Sequence, residues 1–186
     1  CMGSLSFKDL VEEEAGAPAK EGTAAGEYLE RMLVNGNTNE IPEKYAKNGV
    51  LFDRDMRFHT VPIALEIFAK AQSKILCEQR IDWQTRSGIW IRGQYDASFV
   101  AEGNLYIDDL KYGWGIVEPF ENWQLLGYAI GEVIRRQTPF PFIILRIHQP
   151  RPHHEISQTR EWRLTYDQLL EYKEKIEQKM IQIANG

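Results

Sequence analysis

Cysteine is nearly missing from this chain: two in 186 residues, Cys1 and Cys77. Neither takes part in a metal-type or redox-type spacing, which excludes a disulfide framework, a structural zinc site and a C-x-x-C redox pair. The default is a reducing compartment. No apolar run approaches the ~18–20 residues of a membrane span, so no membrane partner is expected. Positive charge is also in short supply. Lys and Arg number 22 against 27 Asp and Glu, a net charge of -5. That excludes a globally basic nucleic-acid coat protein but leaves room for a local basic groove. There is no internal repeat, no low-complexity tract, and no basic segment leading into an apolar one near the start. We expect a cytoplasmic protein. The opening Cys1-Met2-Gly3-Ser4, with no Met in front, leaves two expectations open: a numbering that starts inside a longer product, or a few added residues at the start.

What is present suits one ordinary folded unit. Hydrophobic residues make up 43% and charged residues 26%, with 5 Trp, 8 Tyr and 8 Phe as core material. A single domain over 1–186 is expected. Residues 11–26 are small and polar, and their first part reads as a loop. Thr23 would then cap a helix through Glu27–Leu33, ended by Asn35-Gly36-Asn37. Residues 37–50 look like loop. Residues 55–73 carry a helical stripe of Met56, Val61, Ile63, Ala64, Ile67, Phe68 and Ala71, with Pro62 predicting a late start or a kink. The period then changes. Strands are predicted over 74–82, 89–101 and 104–111, the last two joined by a hairpin turn at Glu102-Gly103. A helical period returns over 121–137, stopped by Pro139 and Pro141. An apolar strand follows at 142–148, a polar loop at 149–159, a short strand at 160–164, and a closing helix from Thr165 to Ala184. The order predicts an α/β fold with a mixed central β-sheet flanked by helices.

The chemistry is concentrated in Gly93-Gln94-Tyr95-Asp96 and Ile107-Asp108-Asp109-Leu110-Lys111. Alternation along a strand puts Asp109 and Lys111 on one face. With Glu102-Gly103 as the turn, Ala101 faces Asn104, and counting back sets Asp96 opposite Asp109. Like charges so placed repel. A divalent cation removes that penalty, and paired carboxylates suit Mg²⁺, which takes oxygen ligands at about 2.0–2.1 Å. A lysine beside such a metal can orient an attacking water and bind a phosphate oxygen. Metal-assisted phosphodiester hydrolysis is the predicted chemistry.

Glu78, then Gly93-x-x-Asp96, Asp109-x-Lys111, and Gln124-x-x-x-Tyr128 together resemble the PD-(D/E)XK nuclease superfamily, in its RecB-like and phage-exonuclease branch. The chain is similar to a phage-associated, largely uncharacterised family of that branch with four recurring motifs. Here they stand as Glu21-Gly22-Thr23-Ala24-Ala25, Asp109-Leu110-Lys111-Tyr112-Gly113-Trp114-Gly115, Asn122-Trp123-Gln124-Leu125 and Gln149-Pro150-Arg151. The resemblance implies a restriction-endonuclease-like core and an Mg²⁺-dependent (or Mn²⁺-dependent) deoxyribonuclease. The implied protein is a phage-type exonuclease of recombination or replication, acting on duplex ends in the host cytoplasm. It also implies a possible homo-oligomer and a recombination partner protein. Asp96 and Asp109 resemble the metal-binding carboxylates, with the Leu110 carbonyl as a third ligand and Glu78 as an additional acidic residue. Lys111 resembles the catalytic lysine. Gln124 and Tyr128, four apart on a helix, resemble the pair that positions it. One departure stands out: relatives often carry a His in the first helix where this chain has Gly26, with Glu30 four later. Two other readings share the same residues. One is a catalytically weak nuclease-fold subunit for DNA binding or assembly, the other a structure-selective endonuclease.

Outside this set, Trp114 and Trp123 flank the candidate site and are suited to stacking on an end base. Arg146, His148, Arg151, Arg160 and Arg163 form a late basic set; Arg146 and His148 share a strand face suited to tracking phosphates, and Arg146 and Arg151 are the candidate DNA contacts. His153-His154-Glu155 reads as solvated loop, since adjacent histidines in an extended segment point apart.

Overall fold

The computed structural model describes residues 5–6, 16–39 and 44–185. Its elements are β1 (Leu5–Ser6), α1 (Ala17–Asn35), α2 (Arg54–Lys70), β2 (Leu76–Gln84), β3 (Trp90–Ala101), β4 (Asn104–Leu110), α3 (Trp123–Arg136), β5 (Phe142–His148), β6 (Thr159–Thr165) and α4 (Tyr166–Asn185). Cys1, residues 11–15 of the expected first loop and 40–43 of the second lie outside the described residues.

The strands form one mixed sheet. β2, β3 and β4 run antiparallel, β4 and β5 parallel, and β5 and β6 antiparallel, while β1 pairs parallel with Ile91 and Arg92 of β3. A parallel β4–β5 pair needs a crossover, and α3 supplies it. The helices cover both faces. Leu125, Leu126, Ala129, Ile130 and Val133 of α3, with Leu169 and Ile176 of α4, pack on Ile81, Trp83, Leu105, Ile107, Ile143, Leu145 and Ile147. On the other face, Ala24, Tyr28, Leu29 and Met32 of α1 and Met56, Ile63 and Ile67 of α2 pack on Ala97, Phe99, Tyr106 and Ile144. The predicted mixed sheet with flanking helices is therefore the fold. Among the described residues, no helix is long and apolar enough to cross a membrane.

Two helices start earlier than their sequence suggests. α1 begins at Ala17, with Pro18 in its first turn, where a missing N–H costs nothing. Thr23 is no cap; its hydroxyl donates to the Ala19 carbonyl one turn back, 3.1 Å. Gly22 and Gly26 weaken local helix propensity, and the buried stripe from Ala24 to Leu33 overrides it. α2 begins at Arg54 and runs through Pro62. Asp53 caps it, accepting from the Met56 amide at 2.7 Å. α2 ends at Lys70, three residues short of the expected 73; the other boundaries fall within two residues of the expected ones, and 142–148 coincides.

Candidate functional site

Three carboxylates fall in one row across three strands. Cys77 pairs with Ala97 and Gln79 with Tyr95, which puts Glu78 opposite Asp96. Ala97 pairs with Asp108, so the next step of that ladder sets Asp96 opposite Asp109. Main-chain pairing between β3 and β4 ends at Ala97–Asp108, and a side chain takes over. Asp96 Oδ2 accepts the Leu110 amide at 2.5 Å, closing the end of β4 where a backbone carbonyl would otherwise sit. Glu78 accepts a hydrogen bond from the Gln94 side chain.

Strict alternation fails at the same row. Ile91 and Tyr95 pack with α3, whereas Ala97 and Phe99 pack with α1 and α2. All four positions are odd, so β3 turns over at Asp96. β2 does likewise, with Ile81 and Trp83 on the α3 side and Cys77 on the other. Glu78 has φ 49°, a left-handed backbone that a non-glycine residue adopts at a cost. The turn-over lets Asp96 and Glu78 line a cleft of about 340 Å³ against Gly22, Gly26 and Glu30 of α1. A Cβ built on Gly26 meets nothing within 4 Å, so the cleft is open at this position.

Asp109 is 4% exposed and lies toward α3. Lys111 Nζ sits 2.7 Å from its Oδ2. The approach is off-axis, so this oxygen has a charge partner yet no hydrogen bond. The lysine also donates to Gln124 Oε1 at 3.1 Å, and Gln124 Nε2 donates to the Tyr128 hydroxyl at 2.5 Å. Gln124 and Tyr128 share one face of α3, whose start is fixed by Asn122 accepting from the Gln124 and Leu125 amides. Gly93 completes the arrangement. A Cβ there would lie 2.3 Å from Tyr128 Cε1, so only glycine lets the ring lie against β3.

The electrostatics favour added positive charge. Burial pushes the Asp96 carboxyl well above the ordinary range, and the neighbouring Asp109 pushes it further, against the Leu110 amide. Burial also raises Asp109, against the pull of Lys111. Burial raises the Tyr128 phenol to about 12, so it keeps its proton. Among the described residues, no three His, Cys, Asp or Glu side chains form a ready-made metal cage. The donors along this row are all oxygens: the Asp96 and Asp109 carboxyls are both disfavoured as anions, and one Asp109 oxygen is buried without a hydrogen bond. That set fits a hard divalent cation rather than a thiophilic one.

The basic set is a correction. Arg146 is fully buried, so it cannot track phosphates. It grips Asp108 through Nε–Oδ1 at 2.6 Å and Nη2–Oδ2 at 2.7 Å, and reaches Glu66 of α2 at 2.7 Å. His148 and Arg160 are buried too. Arg151 pairs with Glu21 at 2.7 Å and lies 3.9 Å over the Tyr112 ring. Trp123 is half-exposed beside Tyr172, and Trp114 is 69% exposed. Sequence reasoning missed Glu66 and the role of Gln149, whose side chain binds the Gly113 and Gly115 carbonyls. The recurrence of Gln149-Pro150-Arg151 beside Asp109–Gly115 was the available signal, because the two motifs interlock.

The fold and site define an α/β protein with an acidic row across its sheet, closed at one strand end by a held lysine. The chain belongs to the family described as "Protein of unknown function (DUF2800)", which matches residues 1–186. It is similar at 12% identity to the solved structure titled "Crystal structure of SSO0001", over 89% of this chain and 78% of that one, with a TM-score of 0.30.

Proposed function

We propose that this protein is a divalent-metal-dependent nuclease that hydrolyses phosphodiester bonds in DNA, of the phage-exonuclease kind used in recombination or replication. The observation that carries the reading is the row Glu78–Asp96–Asp109 with Lys111 held beside it by Gln124 and Tyr128. Asp96, Asp109 and the Leu110 carbonyl would hold Mg²⁺ or Mn²⁺, with Glu78 at the rim. Bound there, the cation would offset the carboxylate charge and supply a more acidic water.

The protein's own groups do the rest. Asp96 fixes the end of β4 through the Leu110 amide, which aims Asp109 and Lys111. Lys111, restrained at two oxygens, presents an ammonium to a phosphate oxygen and to the charge that grows on it during attack. Gln124 sets the lysine's position. Tyr128, which stays a neutral phenol, sets Gln124. The acidic chain as a whole repels DNA, so binding depends on charge at the cleft mouth, such as Lys47.

End-labelled linear duplex DNA, incubated with Mg²⁺ or Mn²⁺ beside EDTA and a Lys111→Ala control, tests the reading. Degradation that needs the metal and is lost in the variant supports it. Intact DNA with both metals, from folded protein, rejects it in favour of a subunit that binds or assembles without cutting.

A further inference from the structure

Trp114 is a large apolar ring set out in solvent three residues after Lys111, and the loop that carries it is braced. Gln149 is fully buried. Its Nε2 donates to the Gly113 carbonyl at 3.4 Å and the Gly115 carbonyl at 2.6 Å, one on each side of the tryptophan. Its Oε1 accepts from the Val117 amide at 3.0 Å and from Arg160 Nη2 at 2.7 Å. Every donor of that amide is thus spent on the loop. Arg160, 5% exposed, adds a hydrogen bond to the Val117 carbonyl at 2.6 Å. Arg151, tied to Glu21, lies over Tyr112 and 5.7 Å from the Trp114 ring. Residues 112–117 are therefore pinned on both sides while the ring between them stays 69% exposed. A ring held in place loses little freedom when a ligand covers it.

The location limits the ligand. Three residues of chain span at most about 11 Å, so Trp114 lies within about 11 Å of Lys111 between Cα atoms. That is about three base steps at about 3.4 Å each. A flat ring at this distance from a phosphate-cutting site matches the face of a base. Within a continuous duplex, base faces are covered by their neighbours.

We infer that Trp114 is a base-stacking platform and that the substrate engaged at Lys111 is a strand whose terminal bases are unpaired. This rests on the nuclease reading above and specifies its substrate class. Gln149, Arg160 and Arg151 are positioning residues for the platform, not contacts to the strand.

The test uses the full chain with Mg²⁺ on oligonucleotides of one sequence, either single-stranded, with an overhang, or blunt. The readouts are KM and kcat for the wild type, Trp114→Ala and Trp114→Phe, each checked for an unchanged melting profile. Wild type should prefer unpaired ends. In Trp114→Ala the preference should fall about tenfold, through KM, as expected for one lost base–aromatic stack. Trp114→Phe should keep most of it. Oligothymidylate should quench wild-type tryptophan emission more than that of Trp114→Phe. Equal preference in wild type and Trp114→Ala overturns the platform while leaving the nuclease reading standing. A wild type that neither cuts nor binds any of the oligonucleotides overturns both.

Discussion

Gly93 and Tyr128 are in such close apposition that a single methyl group on the glycine would fall 2.3 Å from the ring carbon Cε1. The ring cannot yield without moving its hydroxyl, which holds Gln124, which in turn holds Lys111. Gly93→Ala should therefore loosen the lysine from a distance. We expect a stability loss of about 1–3 kcal/mol from overpacking. We also expect a larger fall in kcat than in substrate affinity. Urea unfolding and single-turnover cleavage measure the two effects. A variant with normal Lys111-dependent turnover would show that the Tyr128 relay is not needed.

Asp96 and Asp109 burden the fold when no cation is present, since burial raises both carboxyls and the Asp109 charge raises Asp96 further. A raised carboxyl works against stability above its unfolded value, so the penalty is present at neutral pH. Asp96→Asn keeps an oxygen for the Leu110 amide and removes the charge. In EDTA at pH 7 the variant should melt higher than wild type. With Mg²⁺ or Mn²⁺ the order should reverse, because a ligand at 100 times its dissociation constant adds about 2.7 kcal/mol to the wild type alone. Melting temperatures with and without metal decide it. Identical metal responses in the two proteins would place any cation elsewhere.

The hairpin and its acidic pairing were legible because they depend on local signals: β-branched alternation, a Glu-Gly turn, and a count back from Ala101 and Asn104. The apolar strand 142–148 and the α3 stripe were legible for the same reason. The turn-over of β2 and β3 at Glu78 and Asp96 was not, since a left-handed glutamate leaves no mark in composition or period. The start of α1 was hidden by its glycines and set by packing against α2 and the sheet. The fate of Arg146 was hidden by distance: its partner Glu66 is 80 residues away in the chain, on a helix whose packing no local pattern specifies. A basic residue on a strand reads as surface charge until its carboxylates are located.

Glu132 is wholly buried on α3 and accepts from Arg135, Arg136 and the Tyr95 hydroxyl. Burial alone would raise it, but the hydrogen bonds from Arg135 and Arg136 outweigh burial and hold it below its ordinary value. A lowered carboxyl contributes stability above its unfolded value of 4.5 and loses it as pH falls through the folded one. Acid destabilisation should therefore set in below about pH 4.5. Glu132→Gln should be less stable by about 1–3 kcal/mol at pH 7 and should show a shallower acid limb. Urea midpoints from pH 7 down to pH 3 give both quantities. Parallel acid limbs for the two proteins would remove Glu132 from the account.

Arg146 and Asp108 make the last case, where a structural role and a nucleic-acid role predict opposite results. Burial would raise Asp108, but the Arg146 charge and the two Arg146 hydrogen bonds hold it at about 2. The guanidinium in turn lies 5.4 Å from the Tyr106 ring centre and 5.6 Å from that of Phe99, both in the α1–α2 core. Arg146→Met strands a buried carboxylate and should cost about 3–5 kcal/mol. Adding Asp108→Asn removes the stranded charge and should recover much of that loss. A phosphate contact would behave otherwise: the single variant would fold normally, DNA affinity would drop, and the salt dependence of binding would shrink by about one counterion. Urea unfolding of the single and double variants, beside DNA binding across a salt series, separates the two. We expect the stability cycle to show strong coupling and the salt slope to stay unchanged in the double variant, because the Arg146 side chain is 0% exposed and has no path to a ligand.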